Sequence, residues 1–553
     1  MNGAESLVHT LLACGVDHCF TNPGTSEMHF VAALDRVPGM RCVLALQENI
    51  ATGAADGFYR MTGKPASTLL HCGPGLANGL ANLHNARRAR SGIVNIVGDQ
   101  ATYHRPLDAP LTADTEGWAR GVSGFVRTTM ASDKVGADAA VAVQAAQTPP
   151  GSIATLILPS DSSWNDGGVV GSALPAPAVP QVDPHAVRDA ARVLRERQNV
   201  LILLGGMALR EAAQRLAWRI AAMTGAKILA EGFNARTARG QGRLPLERVP
   251  YPNEPALKAL APFDHLILVN SNPPVGFFAY PGKPNRFTKE GAQCHVLTRV
   301  EQDAVAALQA LVDELGAPAA EIPSNGAKPA VVNGKPSPEN LASTIAAVLP
   351  DNAVIVDESV SYGRGFFKNT HAAAPHDWIQ NMGGAIGAGV PLATGAAVGT
   401  QSMKADRRVV ALQADGSAMY TVQGLWTQAR EKLPITTVLL SNRKYQILIG
   451  EFFAVGANLG HTAMDMLDLG NPDIGWVRLA EGMGVEAAAT DSLDGLADLM
   501  TQSFRRPGPF LIELAKRFHQ GSRYYADATT FAKRLEQDVE DKGELLKRLG
   551  LPK

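Results

Sequence analysis

Short runs of apolar, mostly β-branched residues recur along the chain, and a longer segment with helical periodicity follows most of them. These runs are too continuous for a sheet with one face in water, so we expect parallel strands covered by helices on both faces. The strand-like runs are residues 66–71, 92–98, 199–206, 226–230, 265–270, 294–298, 353–358, 408–413, 435–441 and 509–514. The pattern therefore predicts an α/β fold built on parallel sheets.

Two proline-rich stretches divide the chain of 553 residues, one at about 164–184 and one at about 316–338. Because proline excludes helix and removes a ladder donor, both stretches are typical of extended linkers. They predict three parallel-sheet α/β domains followed by a charged helical tail. The predicted bounds are residues 1–165, 183–316, 339–525 and, for the tail, 526–553.

Charge and composition exclude several classes of protein. The 51 basic and 52 acidic residues leave a net charge of −1, which gives no electrostatic basis for binding nucleic acid or an anionic membrane. The chain has no run of about 18 uncharged apolar residues, and residues 1–20 lack the features of a signal peptide. Five cysteines are too few for a disulfide scaffold. We expect a cytoplasmic protein that acts on a small molecule.

The most informative feature is a strand that ends just before Asp415, Gly416 and Ser417, followed by a second strand that ends at Asn442. In a right-handed βαβ unit both strand ends lie on the same sheet edge, so Asp415 and Asn442 should converge. Their side-chain oxygens suit Mg²⁺ or Ca²⁺. A helix of about 15 residues, predicted to begin at Ser417, would offer amide groups to a phosphate. These residues predict a site for a metal and a diphosphate.

The sequence A-D-G-S at 414–417 and the pair S-N at 441–442 resemble the G-D-G…N-N motif of thiamine-diphosphate-dependent enzymes. The similarity covers nearly the whole chain and is greatest to the benzoylformate decarboxylase type. It implies three domains, in the order pyrimidine-binding, middle and diphosphate-binding. It also implies thiamine diphosphate with Mg²⁺ or Ca²⁺ as cofactors, and the backbone carbonyl of Lys444 as a third protein ligand of the metal. Ala414 and Ser441 replace motif residues, but neither change removes a metal-ligating side chain.

Two segments of the first block resemble cofactor-binding segments of the same family. The turn FTNPGTSEM is similar to the family's N-P-G-S turn, which implies cofactor contacts for Asn22 and Pro23 and a substrate-pocket position for Thr25. Residues 43–65 resemble the helix that carries the family's glutamate, which falls on Glu48. That carboxylate is needed to protonate the pyrimidine ring, so that the cofactor can lose its thiazolium C2 proton.

The segment LLHCGPGLANGLANLHNARR resembles the family's active-site histidine loop. The resemblance makes His71 the acid–base residue and places Asn78 beside the cofactor. We expect His71 to lie between a strand and a glycine-rich turn, where an imidazole can exchange protons near neutral pH. His104, in a loop further on, is a second pocket candidate.

The third block supplies further residues that the resemblance assigns. The loop DESVSYGRGFF implies that Ser361 touches the cofactor, and NMGGAIGAGVP places Ile386 as an apolar wedge beneath it. Gly416, Ser417 and Tyr445 would also contact the cofactor.

The substrate pocket would be shaped by Ile447 and Leu448, with Glu451 one helical turn further along. Pyruvate decarboxylases have a glutamate at the position of Leu448, so this sequence follows the benzoylformate type. However, residues 270–284 lack the second active-site histidine of that type, and have Phe277, Phe278 and Tyr280 instead. Proton transfer would then fall to another group or to water, which leaves the identity of the 2-oxoacid open.

The resemblance implies non-oxidative decarboxylation of a 2-oxoacid, with or without carboligation, in a homodimer or homotetramer whose active sites lie at the subunit interface. One alternative is a carboligase of the acetolactate synthase type, which usually binds FAD in the middle domain. Since residues 199–300 contain no G-x-G-x-x-G motif, we expect no FAD. Another alternative is a non-catalytic cofactor-binding relative, against which the presence of Glu48 argues.

Overall fold

The computed structural model describes residues 1–334, 336–363, 365–457 and 460–515. These residues form three α/β units, each built on its own largely parallel sheet, which confirms the predicted fold class. The predicted C-terminal tail, residues 526–553, lies outside the described residues. No helix in the described part of the chain is both long and apolar enough to cross a membrane.

The N-terminal unit has a sheet of six parallel strands in the order β2-β1-β3-β4-β6-β5. The strands are β1 (His18–Asn22), β2 (Arg41–Leu44), β3 (Ala66–Leu70), β4 (Ile93–Asp99), β5 (Phe125–Thr128) and β6 (Ile153–Pro159). The helices are α1 (Gly3–Ala13), α2 (Met28–Arg36), α3 (Glu48–Thr62), α4 (Cys72–Ala89), α5 (Thr115–Arg120), α6 (Val135–Ala146) and α7 (Ser160–Trp164). The strands predicted at 66–71 and 92–98 are β3 and β4.

The middle unit has a smaller sheet of four parallel strands in the order β11-β10-β7-β8. Its segment of the chain contributes β7 (Val200–Leu204), β8 (Lys227–Ala230), β9 (Thr237–Arg239), β10 (His265–Val269) and β11 (Gln293–Thr298). The helices are α8 (Pro184–Glu196), α9 (Glu211–Thr224), α10 (Asn253–Leu260) and α11 (Ala304–Leu315).

The C-terminal unit has a seven-stranded sheet in the order β16-β17-β15-β14-β12-β13-β9. Its own strands are β12 (Ala353–Glu358), β13 (His376–Gln380), β14 (Val409–Ala414), β15 (Ile435–Ser441), β16 (Glu486–Thr490) and β17 (Phe510–Ala515). The helices are α12 (Pro338–Val348), α13 (Phe366–Asn369), α14 (Gly389–Ser402), α15 (Asp415–Ala418), α16 (Gly424–Arg430), α17 (Gln446–Ala454), α18 (His461–Asp465), α19 (Trp476–Gly482) and α20 (Leu493–Phe504).

Strand β9 leaves the middle unit and pairs antiparallel with β13 at the edge of the C-terminal sheet. Its Arg239 is buried, and the guanidinium carbon lies 3.5 Å from the centroid of the Phe367 ring. Burial holds the pKa of Arg239 well below its usual range. The sequence did not predict this strand, because three residues carry no periodicity of their own.

The prediction of one helix of about 15 residues after Asp415 is wrong. The structure has two short helices instead, α15 and α16, separated by residues 419–423. The hydroxyl of Thr421 donates to the carbonyl oxygen of Gly387 at 2.9 Å, and the adjacent β-branched residue Val422 also disfavours helix. The break leaves Asp415 on a single helical turn at the end of β14.

Helices α3 and α14 join the N-terminal and C-terminal units through a close glycine contact. A Cβ atom at Gly395 would lie 1.8 Å from the carbonyl oxygen of Ala54, and one at Gly57 would lie 2.3 Å from that of Leu392. Because neither position can carry a side chain, the two helix backbones pack directly against each other. This contact fixes the helix that begins at Glu48 relative to the C-terminal sheet.

Candidate active site

Asp415 lies at the carboxyl end of β14, and its side chain is buried. The carboxylate accepts hydrogen bonds from the backbone N–H of Arg443 at 2.6 Å and of Gly416 at 2.9 Å. The first of these bonds joins the ends of β14 and β15, next to Asn442. Burial raises the pKa of Asp415 to about 6, although the backbone donors oppose the shift. A desolvated carboxylate with neutral partners suits a bound cation, so this position fits a divalent metal.

The loop after β15 is folded back onto Asp415 and Gly416. The side-chain oxygen of Asn442 accepts a hydrogen bond from the backbone N–H of Lys444 at 3.0 Å. Tyr445 packs against Gly416, where a Cβ atom would lie 2.5 Å from Cε1 of the ring. The loop can therefore close only over glycine. The structure thus brings the predicted ligand-bearing residues together at one sheet edge.

Ser417 is buried within α15. Its hydroxyl donates to the carbonyl oxygen of Ala414 at 3.1 Å and to that of Glu358 at 3.4 Å. These bonds hold the turn against the neighbouring strand β12.

Glu48 is the first residue of α3 and is buried, with 8% of its surface exposed. The amide nitrogen of Asn78 donates to Glu48 Oε2 at 3.0 Å. Gly75 makes room for the carboxylate, since a Cβ atom there would lie 3.2 Å from Glu48 Oε1. The fold therefore joins two residues that the sequence analysis assigned separately, one to cofactor activation and one to cofactor binding.

The predicted turn at residues 22–25 leaves the carboxyl end of β1. The amide of Asn22 donates to the carbonyl oxygen of Ala45 at 2.8 Å, which ties the ends of β1 and β2. Pro23 follows and is half-buried, whereas Thr25 is exposed. These residues thus border the sheet edge close to the segment that leads into Glu48.

His71 occupies the N-cap position of α4, and the prediction of a glycine-rich turn after it is wrong. The helix begins at once, at Cys72, and runs through the glycines. Tight packing explains why: a Cβ atom at Gly73 would lie 2.5 Å from the Cβ of Ala113, and Gly79 is similarly crowded by Thr52. Close packing at these positions outweighs the low helix propensity of glycine.

The imidazole of His71 belongs to a cluster that the sequence analysis missed. Its Nδ1 lies 3.0 Å from Glu27 Oε2 and 3.0 Å from the hydroxyl of Ser26. The Ser26 hydroxyl also lies 3.2 Å from the Cys72 sulfur. A carboxylate at Nδ1 favours the tautomer with its proton on that nitrogen, which leaves Nε2 free to accept a proton. The sequence separation of 44 positions between Glu27 and His71 gave no signal for this pair.

Burial shifts the titration of two members of this cluster, Glu27 and Cys72. It raises the pKa of Glu27, against the opposing effects of Ser26, His71 and the backbone N–H of Gly24. Burial also raises the pKa of the Cys72 thiol to about 11. The backbone of Cys72 has a φ of 53°, which is uncommon for a residue with a side chain. The structure therefore holds His71 in a fixed, hydrogen-bonded setting.

Ile386 is half-buried in the loop before α14, and both sides of it are fixed. The carbonyl oxygen of the preceding residue accepts a hydrogen bond from the Asn85 amide at 2.8 Å, and that of the following residue accepts one from Thr421 at 2.9 Å. The buried carboxylate of Glu358 accepts a hydrogen bond from the backbone N–H of Ala388 at 3.0 Å. These contacts place Ile386 firmly, as the wedge role would require.

Two other predicted residues lie in turns beyond strand ends. Ser361 is half-buried in the turn after β12. His104 is half-buried in the turn beyond β4, where its backbone N–H donates to the carbonyl oxygen of Ala101 at 2.8 Å. Both positions are compatible with a site at the carboxyl edges of the sheets.

Helix α17 carries the predicted pocket residues. Ile447 is half-buried, and Leu448 is 42% exposed. Glu451 is half-buried and accepts a hydrogen bond from the hydroxyl of Tyr280, at 2.6 Å from Oε2. The middle unit therefore contacts α17 through Tyr280, one of the aromatic residues found in place of the second active-site histidine.

A crevice of about 1260 Å³ separates the middle unit from the N-terminal unit. Several arginines line it, among them Arg87, Arg88, Arg90, Arg210 and Arg236. None of the predicted site residues borders this crevice.

Two segments of the chain match models of known protein domains. Residues 1–118 match the model of the thiamine pyrophosphate enzyme N-terminal TPP-binding domain, and residues 362–514 match that of the C-terminal TPP-binding domain. The chain is 47% identical to the “Putative acetolactate synthase large subunit IlvX” of Mycobacterium tuberculosis, over 93% of this chain and 99% of that protein.

Two more distant matches cover similar lengths. The chain is 27% identical to benzoylformate decarboxylase of Pseudomonas aeruginosa, over 90% of this chain and 96% of the relative. Its fold matches that of the thiamine-diphosphate-dependent 4-hydroxybenzoylformate decarboxylase of Rhodococcus jostii RHA1 with a TM-score of 0.80 and 22% identity, covering 94% of this chain and all of that one.

Proposed function

Because the chain belongs to the thiamine pyrophosphate enzyme family, we propose that it decarboxylates a 2-oxoacid non-oxidatively, using thiamine diphosphate and Mg²⁺ or Ca²⁺. The observation that carries this proposal is the buried Glu48 carboxylate held by Asn78 at 3.0 Å. A cofactor-binding protein without catalysis has no need of a buried carboxylate at this position, since the diphosphate would be held elsewhere.

Each group of residues has a distinct role in the proposal. Asp415, Asn442 and the carbonyl of Lys444 would hold the metal, and Gly416 and Ser417 would contact the diphosphate beside it. When bound, thiamine diphosphate supplies a nucleophilic carbon and an electron sink for the departing CO₂. Glu48 exchanges a proton with the pyrimidine ring.

The remaining residues act on the substrate and on the shape of the site. His71, oriented by Glu27, exchanges a proton with the substrate or binds its carboxylate. Ile386 would support the bound cofactor, while Ile447 and Leu448 would shape the apolar pocket.

We further propose a cytoplasmic homodimer or homotetramer in which Glu48 of one subunit meets Asp415 of another. Large apolar side chains are exposed beside both groups of residues, which supports burial against a second copy. Trp118 is 41% exposed and lies close to Gly73, and Tyr420 is 55% exposed beyond Asp415. Mixing the Glu48→Gln and Asp415→Asn variants should restore about a quarter of the wild-type sites after subunit exchange. Activity no greater than the sum of the two variants would contradict the shared site.

The decisive experiment is a screen of 2-oxoacids for CO₂ release by the protein supplied with thiamine diphosphate and Mg²⁺. We expect release from at least one monocarboxylic 2-oxoacid with an apolar side chain, because α17 offers no cation for a second carboxylate. A protein that binds the cofactor but releases no CO₂ and forms no acyloin from any of them is the non-catalytic alternative.

A carboligase of the acetolactate synthase type is the second candidate, favoured by the 47% identity to the IlvX protein. It would release CO₂ and form an acyloin rather than an aldehyde. We still expect no FAD, because the dinucleotide-binding glycine motif is absent, although the crevice beside the middle unit has room for a nucleotide. Absorbance at about 450 nm in the purified protein would contradict that expectation.

A further inference from the structure

One loop of the middle unit touches two elements of the candidate active site. We call residues 275–286 the aromatic loop. It is closed by a bridge between Val275 and Arg286 and by a hydrogen bond from the Gly276 N–H to the Asn285 carbonyl oxygen at 2.9 Å. Backbone hydrogen bonds within the loop therefore fix its conformation, including that of its tip.

The first contact is made by Phe277. A Cβ atom at Gly384 would lie 2.4 Å from Cζ of this ring, and Gly384 is two residues before Ile386. The ring also packs against Phe278 and Phe233, with centroids 4.9 Å and 5.3 Å away. The aromatic loop thus lies directly against the segment proposed to support the cofactor.

The second contact is the hydrogen bond from the Tyr280 hydroxyl to Glu451 Oε2 at 2.6 Å. This is a short hydrogen bond, and it fixes the orientation of the Glu451 carboxyl group. Glu451 lies one turn beyond Ile447 on α17 and is the only titratable residue in the sequence of that helix. The pair therefore places a proton-exchanging group among otherwise apolar pocket residues.

We propose that Glu451 is the residue that protonates the substrate carbon after decarboxylation, and that Tyr280 is the positioning residue that fixes its carboxylate. This inference rests on the proposed decarboxylase function. The bound cofactor would accept the electron pair that the departing CO₂ leaves behind, and the former keto carbon must then gain one proton before the product can be released as an aldehyde. Glu451, as the carboxylic acid, transfers its proton to that carbon and becomes a carboxylate. The Tyr280 hydroxyl stabilises this charge, and a proton from solvent restores the acid.

The test compares Glu451→Gln and Tyr280→Phe with the unmodified protein, supplied with thiamine diphosphate, Mg²⁺ and its best 2-oxoacid. Glu451→Gln should lower the kcat for aldehyde formation by about 10²-fold with KM little changed. Tyr280→Phe should lower it by about tenfold. In both variants the product ratio should shift from aldehyde to acyloin, because the unprotonated carbon survives long enough to add to a second carbonyl. A purely structural link between the units would not move that ratio.

Glu254→Gln is a matched control, because it removes the ion pair that Glu254 makes with Lys283 of the same loop, at 2.5 Å, without touching α17. It should leave the product ratio unchanged. Thiamine diphosphate affinity, measured by calorimetry, should be the same in all variants.

Unchanged kcat and product ratio in Glu451→Gln and Tyr280→Phe would overturn the inference while leaving the proposed function intact. If Glu451→Gln does not fold, the product ratio of Tyr280→Phe alone decides whether the inference stands. The absence of CO₂ from the unmodified protein would overturn both proposals.

Discussion

The two halves of the candidate site are built in different ways. In the N-terminal half, side chains hold one another: Asn78 binds Glu48, while Glu27 and Ser26 bind His71. In the C-terminal half, the buried carboxylate of Asp415 has backbone N–H donors. The first half is therefore arranged by the protein alone, whereas the second carries a desolvated charge that a cation would stabilise. Under the proposed function, the N-terminal half is thus preorganised for proton transfer, whereas the C-terminal half depends on the cation that it binds.

The largest effect should come from Glu48→Gln. The variant keeps the size and the hydrogen bond of the side chain but cannot exchange a proton, so kcat should fall by about 10²–10⁴-fold. Calorimetry should show unchanged affinity for thiamine diphosphate. Glu339→Gln, an exposed glutamate in the first turn of α12, is the control and should keep full activity. Full activity in Glu48→Gln would break the comparison, because the N-terminal half would then carry no proton chemistry.

The opposite result is expected for Asp415→Asn, where binding rather than chemistry should fail. Loss of a direct carboxylate ligand should weaken Mg²⁺-dependent binding of thiamine diphosphate by about a hundredfold or more. The matched control is Asp183→Asn, which keeps the N-cap of α8 far from the site. Unaltered Mg²⁺-dependent binding in Asp415→Asn would place the metal elsewhere.

A smaller effect, on stability, should follow from Gly416→Ala. Its Cβ atom would lie 2.5 Å from the Tyr445 ring, so the free energy of unfolding should fall by about 1–3 kcal/mol. Gly450→Ala is the control, because a Cβ atom there meets nothing within 4 Å, and alanine within a helix should stabilise by about 0.5–1 kcal/mol. Chemical denaturation of both variants tests whether the loop over Asp415 is as tightly closed as the structure indicates.

The smallest effect should be the pH dependence that Glu27 gives to the N-terminal half. Burial raises its pKa above the ordinary 4.5, so the side chain favours folding fully while it is protonated below pH 4.5. That contribution is lost as the pH rises through the raised pKa, since the folded protein must then hold a buried charge. Glu27→Gln should therefore show a flatter decline of Tm with rising pH. Parallel profiles of Tm against pH for the two proteins would contradict the raised pKa of Glu27.

The two halves differ in how much of their structure could be predicted from the sequence. The α/β class and the segment around Asp415 and Asn442 were predictable, because strand ends in a βαβ unit meet at one edge. The pair of Glu27 and His71 was not, because its members are far apart and belong to no periodic pattern. Strand β9 and the break before α16 were not predicted either. Pairing with β13 determines the strand, and the hydrogen bond of the Thr421 hydroxyl contributes to the break, so local propensity decides neither.

Exchange of the thiazolium C2 proton of bound thiamine diphosphate is the most direct test of the central claim, because it needs no knowledge of the substrate. Quenched hydrogen–deuterium exchange, read by NMR, should be much faster on the unmodified protein than for the free cofactor. In Glu48→Gln, with the cofactor still bound, the rate should return close to that of the free cofactor. Equal exchange rates on the two proteins would contradict the role of Glu48 and, with it, the account of this site.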